Sequence, residues 1–304
     1  MTLGSGKSRA RTRSTYTIKA PAKLNLRLKV TGVRPDGYHE LVSVMVPVSL
    51  FDVLELTVAP PGVMQLTCDG YAVPGDENNL VWKAVAAFSE KAGVDTGYRI
   101  RLLKNIPVAA GLGGGSSDAA AVLLCLNEAR GKPLSGREIH LLAAGLGADV
   151  PFFLSGRPSL ARGIGEILEP LRGWPRHHYV IVTPRLRVST AWVYGRLRLN
   201  GLTRDEYHYI MKQLSSDSFV VAHILENDLE TVTSASFPII ETIKRELLDA
   251  GAAGALMTGS GPSVFGLFDS PSKASQARQA VISRDLGDAF VATEWERPSR
   301  ESCS

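Results

Sequence analysis

Residues 107–118 read Pro-Val-Ala-Ala-Gly-Leu-Gly-Gly-Gly-Ser-Ser-Asp, and they run directly into 119–126, which contains only alanine, valine, leucine and one cysteine. Four glycines and two serines leave the backbone N–H groups of this segment uncovered. The apolar residues that follow are mostly good helix formers, so the segment ends where a helix begins. Unpaired N–H groups and the positive end of a helix dipole together form an anion site. We therefore predict a polyphosphate-binding loop.

The loop matches neither of the two common nucleotide-binding sequences. No Gly-Lys-Ser or Gly-Lys-Thr closes it, as a Walker A motif requires, and it is not a Gly-x-Gly-x-x-Gly placed after a strand. The alternative interpretation is a flexible glycine linker. Such a linker would not run directly into an alanine-rich apolar helix, so we favour the phosphate loop.

Composition and charge limit the classes of partner. At 304 residues the chain is long enough for two domains, and its 44% hydrophobic and 21% charged residues are those of an ordinary soluble globular protein. The net charge of +4 is matched by the four basic residues before Tyr16, which are Lys7, Arg9, Arg11 and Arg13. A nucleic-acid-binding surface needs clustered surplus charge, which the remainder lacks. We expect no nucleic-acid partner and a disordered basic tail over residues 1–15.

Cysteine content and hydropathy indicate the compartment. The three cysteines, Cys68, Cys125 and Cys303, are odd in number and share no metal-ligand spacing, which is typical of a reducing cytoplasm. The most apolar stretch, 41–51, is short and interrupted by serine and proline, so it is not a membrane span. Residues 1–15 lack the apolar segment of a secretory signal. We expect a cytoplasmic protein with no membrane partner.

Periodicity gives an α+β pattern in both halves of the chain. Apolar and polar residues alternate over 24–30, which predicts a strand, and similar strands are expected at 53–58, 64–68 and 98–102. Helices are expected at about 79–92, 117–130 and 135–146, the third with a capping box formed by Ser135 and Glu138.

A turn-rich stretch at 172–175 suggests a domain boundary. Beyond it we expect a strand at 179–183 and several helices. The chain then closes with helix 238–250, strands 253–258 and 263–268, helix 271–284 and strand 289–293.

Two segments in the first half carry polar residues in informative places. Lys23 and Asn25 lie on one face of the first strand, opposite leucines, and by themselves they fit a solvated face equally well. In 32–40, a Pro-Asp-Gly turn is followed at once by Tyr38 and His39. These rings could stack on a flat heterocycle, although an ordinary hairpin would have the same sequence.

A single carboxylate stands among small and apolar residues in the Gly-Leu-Gly-Ala-Asp-Val-Pro-Phe-Phe segment, 145–153. A lone aspartate is usually a cap or a turn former, but Asp149 in these surroundings needs a partner to stay ionised at low cost. Residues 257–265 form a second small-residue loop between strands, which alone would be a tight hairpin.

Taken together, these segments resemble the GHMP kinase superfamily. The resemblance rests on five motifs in the right order: Pro-Ala-Lys-Leu-Asn-Leu (21–26), Arg-x-Asp-Gly-Tyr-His (34–39), the glycine loop (107–117), Gly-Ala-Asp-Val-Pro-Phe (147–152) and Thr-Gly-Ser-Gly-Pro-Ser (258–263). It implies a two-domain α+β fold. An N-terminal ATP-binding α/β domain would span 16–170, and a C-terminal ferredoxin-like α+β domain would span 171–304.

The resemblance also implies roles for individual residues. Lys23 and Asp149 would be catalytic, with Asp149 accepting the proton of the acceptor hydroxyl. The ATP phosphates would be held by Pro107, Val108, Ala109, Ala110, Gly111, Leu112, Gly113, Gly114, Gly115, Ser116 and Ser117. The acceptor would be bound by Asn25, Tyr38, His39, Thr190 and Tyr194.

The extended Gly-Leu-Gly-Gly-Gly-Ser-Ser form of the loop is typical of the superfamily members that act in isoprenoid synthesis. They phosphorylate the 2-hydroxyl of cytidine diphosphate methylerythritol, a small-molecule substrate. ATP and Mg²⁺ are the implied cofactors, with no protein ligand assigned to the metal, and a monomer or weak homodimer is expected. The alternatives are a homoserine- or mevalonate-type kinase, whose acceptors carry no base to stack, and a nucleotide-binding sensor on the same fold that lacks turnover.

Overall fold

The first sheet is built on a long antiparallel hairpin. A computed structural model describes residues 15–198, 205–216 and 218–297, and in it strand β1 (Thr15–Val33) pairs with β2 (His39–Ala59) along nearly their whole length. The alternation seen in the sequence places Leu24 and Leu26 in the core with no exposed surface. Thr15, which was predicted to lie in the tail, belongs to strand β1. Residues 1–14 of that tail, and Cys303, lie outside the described residues.

The remaining strands of this sheet extend the hairpin on both sides. The order is β3-β4-β2-β1-β8, with a small β5–β6 hairpin on β2. The bounds are β3 (Met64–Gly70), β4 (Gly97–Lys104), β5 (Ser159–Arg162), β6 (Ile167–Pro170) and β8 (Glu226–Asn227). Strands β3 and β4 fall where the alternation predicted them, while β5, β6 and β8, each two to four residues long, gave no sequence signal.

Four helices pack on the sheet and share one apolar core with it. They are α1 (Leu80–Ala92), α2 (Gly114–Ala129), α3 (Gly136–Leu146) and α4 (Val150–Ser155). The capping box of Ser135 and Glu138 is present at the start of α3. Helix α2 begins at Gly114, three residues before the predicted start, because the left-handed Gly113 (φ +69°) turns the chain directly into the helix.

The second sheet has the ferredoxin-like arrangement that was expected. Its strands lie in the order β11-β7-β10-β9, and every neighbouring pair is antiparallel. The bounds are β7 (His178–Thr183), β9 (Gly254–Met257), β10 (Val264–Phe268) and β11 (Asp288–Thr293), with helices α5 (Thr190–Tyr194), α6 (Glu206–Leu214), α7 (Asp228–Ser236), α8 (Ile239–Asp249) and α9 (Pro271–Ser283). No helix in the described ranges has the length and apolarity needed to cross a membrane.

The two halves of the chain are joined by more than the segment near residue 170. Strand β8, from the second half, pairs in parallel with β1 at Arg27 and Leu28. One apolar cluster also combines side chains of β1 and β2 with Tyr179, Ile181 and Phe265 of the second sheet. The division into domains at 170/171 stays a prediction, because buried contacts cross it.

Candidate active site

A cleft of about 1010 Å³ lies where the two halves meet, and it gathers segments that are far apart in the sequence. The predicted site residues along its walls are Lys23, Asn25, Tyr38, His39, Pro107, Val108, Ala109, Ala110, Gly111, Gly113, Gly114, Gly115, Ser116, Asp149, Thr190 and Tyr194. The side chains of Leu112 and Ser117 are 1% exposed, behind the loop. The loop therefore presents mainly glycine and alanine backbone to the cleft.

The start of helix α2 gives the loop its chemistry. No side chain caps the helix at Gly113, and its first residues, Gly114 to Ser116, line the cleft. The N–H groups of a first helical turn have no partner within the helix. They are therefore directed to whatever occupies this end of the cleft, and an anionic group fits them best.

Close packing against other segments fixes the loop. A Cβ atom added at Gly111 would lie 2.1 Å from the carbonyl oxygen of Thr258, in the loop between β9 and β10. The N–H of Lys23 donates to the carbonyl of Leu112 at 2.9 Å, which ties β1 to the loop. These contacts fix the distance between Lys23 and the backbone of the glycine loop.

The structure brings Lys23 and Asp149 together. The Nζ atom of Lys23 lies 3.7 Å from Oδ2 of Asp149, and the two side chains are 5% and 37% exposed, respectively. Asp149 immediately precedes helix α4, and its side chain does not cap that helix. A buried ammonium and a half-exposed carboxylate consequently share one edge of the cleft, beside the glycine loop.

Asn25 is held in one orientation by its neighbours. Its Nδ2 donates to Oγ of Ser43 at 2.8 Å, and that hydroxyl donates in turn to the carbonyl of Arg27 at 2.6 Å. Because a carbonyl can only accept, the hydroxyl proton is committed there and the Asn25 amide must donate. The Oδ1 atom of Asn25 therefore faces Lys23, whose Nζ donates to it.

The other predicted acceptor-binding residues, Tyr38, His39, Thr190 and Tyr194, line the same cleft. The ring of His39 packs on Tyr194 with centroids 4.8 Å apart, and Thr190 shares a 2.8 Å hydrogen bond with Ser260. Tyr38 is 59% exposed at the rim. Burial, and then the negative charge of Asp149, raise the pKa of the Tyr194 phenol to about 12, so it stays protonated at neutral pH.

A buried charge cluster beneath the loop was missed by the sequence analysis. Lys104, at the end of β4, donates to Asp52 and, at 2.8 Å, to Asp118, and all three side chains are at most 4% exposed. Burial raises the pKa of Asp118 to about 7, with Lys104 opposing the rise. An isolated aspartate in the apolar run around 52 was the only available signal, because its partner lies 52 residues away.

Comparisons with known proteins agree with this geometry. Residues 79–157 match the sequence model of the GHMP kinases N terminal domain, and 213–286 match that of the GHMP kinases C terminal domain. A 4-diphosphocytidyl-2-C-methyl-D-erythritol kinase of Geobacter metallireducens is 47% identical over 90% of this chain and 96% of its own length. The relative of that name from Syntrophotalea carbinolica is 46% identical, with the same coverage.

The chain belongs to the 4-diphosphocytidyl-2-C-methyl-D-erythritol kinase family of GHMP kinases. A crystal structure of a 4-(cytidine 5'-diphospho)-2C-methyl-D-erythritol kinase has a TM-score of 0.77 and 39% identity over 91% of this chain and 98% of its own. A homoserine kinase from Cytophaga hutchinsonii has a TM-score of 0.73 at 20% identity, covering 97% of both chains, and this likeness shows the shared fold alone. GHMP kinases use ATP as phosphate donor.

The Asp118 carboxyl gives a pH-dependent prediction for this kinase. The folded protein keeps the proton up to about pH 7, whereas an ordinary aspartate releases it near 3.8, so its contribution to stability falls as pH rises between these values. Asp118→Asn cannot ionise and can still accept from Lys104. We expect it to gain stability relative to the parent by about 1.4 kcal/mol for each pH unit from 5 up to about 7, with little further change to pH 8. Urea denaturation of the parent and the variant at pH 5 and at pH 8 measures the difference in their free energies of unfolding.

The exposed Asp69 on β3 supplies the control, since Asp69→Asn removes a carboxylate that is 51% exposed. Its stability difference should change little over the same interval. An Asp118→Asn difference that is equal at pH 5 and pH 8 would show that this carboxyl does not titrate there.

Gly115 offers a clean test of the phosphate loop. It is exposed, and an added Cβ would make only an ordinary 3.6 Å contact with Leu80, whereas at Gly113 it would lie 2.9 Å from the ring of Phe153. Gly115→Val should weaken ATP binding by about 10- to 100-fold by covering first-turn N–H groups. Calorimetric titration with ATP measures the loss.

Gly136→Val is the matched control, because Gly136 opens helix α3 with nothing within 4 Å of an added Cβ. This variant should bind ATP normally. If both variants bound ATP with equal affinity, the ATP phosphates would not lie at the start of α2.

Proposed function

We propose that this chain transfers the γ-phosphoryl group of ATP to the 2-hydroxyl of 4-diphosphocytidyl-2-C-methyl-D-erythritol, giving the 2-phosphate and ADP. The observation that carries the proposal is the Lys23–Asp149 pair, 3.7 Å apart, at the junction of the phosphate loop and the rest of the cleft. The acceptor is the one for which the related kinases of this family are named. A hydroxyl placed beside Asp149 would face the terminal phosphate of an ATP held by the loop.

Asp149 and Lys23 would have separate tasks. Phosphoryl transfer passes through a loose transition state in which the attacking hydroxyl keeps its proton until late. Asp149, which is 37% exposed to the cleft, would orient that hydroxyl and accept its proton. Lys23 would neutralise charge on the transferring phosphoryl group, and its contact with Asn25 keeps the ammonium in place.

Mg²⁺ would enter with the nucleotide. Within the described residues, no group of three or more His, Cys, Asp or Glu side chains could hold a metal ion. Mg²⁺ keeps several waters and is bound in kinases largely through substrate phosphates. We propose that the ion, bound together with ATP beside the glycine loop, would supply charge neutralisation at the phosphates.

The acceptor's cytidine would occupy the end of the cleft at Asn25, Tyr38, His39, Thr190 and Tyr194. Tyr38 offers an exposed aromatic face for stacking, and the His39–Tyr194 pair forms an aromatic wall. Homoserine and mevalonate carry no base and would leave these rings unused. This end of the cleft therefore favours the cytidylated acceptor over the acceptors of other GHMP kinases.

We further propose that the enzyme works in the cytoplasm, without nucleic acid, as a monomer or weak homodimer. Cys68 is a free thiol, which suits a reducing compartment. The four basic residues before Tyr16 match the net charge of +4, so the remainder has no surplus charge for a nucleic-acid backbone.

A panel assay tests the proposed reaction. Purified protein with Mg-ATP is offered 4-diphosphocytidyl-2-C-methyl-D-erythritol, mevalonate, homoserine and galactose, and ADP release is followed. Only the first should support turnover. Asp149→Asn should lower kcat at least about 100-fold while the dissociation constants of ATP and acceptor stay within about twofold, because the amide keeps the shape but cannot take the proton.

Each other outcome of the panel has a definite meaning. Turnover with mevalonate or homoserine would replace the proposed acceptor. If the protein bound ATP but released no ADP with any of the four acceptors, it would be a nucleotide-binding sensor without turnover. Normal turnover by the Asp149→Asn enzyme would show that another group accepts the proton.

Tyr38→Ala probes the acceptor's base. Stacking of a base on an aromatic ring is worth about 1–3 kcal/mol, so the acceptor KM should rise by about one to two decades. The ATP KM should change little, because the phosphate loop is a separate wall. Val33, 57% exposed on the same hairpin and outside the cleft lining, provides the control variant Val33→Ala. Steady-state kinetics with each substrate varied separately measure both constants.

An unchanged acceptor KM in Tyr38→Ala would place the base elsewhere. Equal rises for Tyr38→Ala and Val33→Ala would point to a general disturbance of the hairpin.

A further inference from the structure

The last described residues leave the second sheet and cross to the first. At the end of β11, the N–H of Thr293 donates to Oγ of Ser49 at 3.0 Å, and the next residue, Glu294, forms a β-bridge with Val48. The N–H of Trp295 then donates to the carbonyl of Pro47 at 2.9 Å. We call residues 293–297 the C-terminal strap. It runs along β2 in the middle of the first sheet.

A buried carboxylate fixes the start of the strap to the second sheet. The side chain of Glu294, 6% exposed, accepts the backbone N–H of His177 at 2.6 Å and the hydroxyl of Tyr179. Breaking such a buried arrangement would leave a charge without partners, which is costly. The start of the strap therefore has one position relative to β7.

The far end of the strap closes helix α4. The N–H of Arg297 donates to the carbonyl of Gly156 at 2.9 Å, and its Nη2 donates to the carbonyl of Phe153 at 3.3 Å. The last carbonyls of a helix lack partners within it, so these donors satisfy groups that would otherwise need water. The guanidinium also lies 5.6 Å from the centroid of the Trp295 ring, and this contact limits its rotamers.

Helix α4 connects this end of the strap to the reacting groups. The helix has six residues, about 9 Å, and Asp149 is its N-cap. The ring of Phe153 sits under the phosphate loop, since a Cβ at Gly113 would lie 2.9 Å from its Cζ and 3.1 Å from Cγ of Lys23. A shift of α4 along its axis would therefore displace Asp149 and disturb the packing beneath the loop together.

We propose that Arg297 is a positioning residue for phosphoryl transfer, holding helix α4 so that Asp149 keeps its place beside Lys23 and the phosphate loop. Arg297 does not line the cleft and would touch neither substrate. Arg297 would act on the alignment of the groups that contact the substrates. Alignment errors of about 1 Å lower reaction rates by up to about 100-fold. The choice of assay substrate rests on the proposed function, while the alignment of α4 does not.

Arg297→Met tests the proposal, because methionine keeps an unbranched apolar stem and loses the donors to Phe153. We expect kcat to fall about 10-fold, with both KM values within about twofold. Arg297→Lys, which can still donate to one carbonyl, should recover part of the rate. Glu296→Ala is the matched control, since Glu296 is an exposed residue of the same strap. Assays run well below each variant's Tm, so that only folded enzyme is compared.

Amide hydrogen exchange supplies a readout that does not depend on any acceptor. Exchange at 150–156 should be about 10-fold faster or more in Arg297→Met than in the parent, with exchange in α3 unchanged. If Arg297→Met does not fold, the same two measurements on Arg297→Lys decide the matter.

Wild-type kcat, or unchanged exchange at 150–156, would overturn the positioning role. So would a uniform rise in exchange across the chain, which would indicate a stabilising role only. A parent enzyme inactive on the cytidylated acceptor would instead refute the proposed function, and the exchange experiment would still stand.

Discussion

The site depends on the absence of side chains at four glycines, and each absence has its own physical reason. At Gly111 a Cβ would collide with the Thr258 carbonyl, at Gly113 with the Phe153 ring, and at Gly114 with the Lys104 ammonium at 2.8 Å. Only Gly115 faces open cleft. Three glycines thus let three distant segments converge under the loop, and this convergence makes the first turn of α2 rigid enough to serve as a preformed anion site.

The two buried lysines of the site differ in their capacity to act on a phosphate. Lys104 lies between two acidic side chains, Asp52 and Asp118, that are at most 2% exposed, so its charge is already compensated within the protein. Lys23 has one half-exposed carboxylate at 3.7 Å and the neutral amide of Asn25. Its charge is less fully screened and remains available toward the cleft. Charge balance therefore favours Lys23 over Lys104 for the proposed role in phosphoryl transfer.

Much of the fold could be predicted from the sequence because its main elements are long and periodic. The alternation along β1, the capping box at Ser135 and the glycine loop all depend on neighbours within a few residues. Helix α4 is too short to show a helical period, and its N-cap Asp149 was expected as part of a motif rather than as a helix start. The pairing of Asp52 with Lys104 and of Thr258 with Gly111 joins residues 52 and 147 positions apart, which no local pattern encodes.

The same limit explains why the supports of the site are harder to recognise than its reacting groups. Lys23 and Asp149 stand in motifs whose small and apolar neighbours make a charge conspicuous. Ser43 is instead a small hydroxyl within the most apolar stretch of the chain, and Glu294 and Arg297 stand in ordinary polar sequence. Their importance arises only when strands β1, β2 and β11 meet. Because Asn25 is oriented through Ser43 and α4 is closed by Arg297, the relative placement of Asp149 and Lys23 is set by contacts that converge from both halves of the chain. The cleft is therefore a property of the two sheets together, and neither half alone contains the geometry that phosphoryl transfer needs.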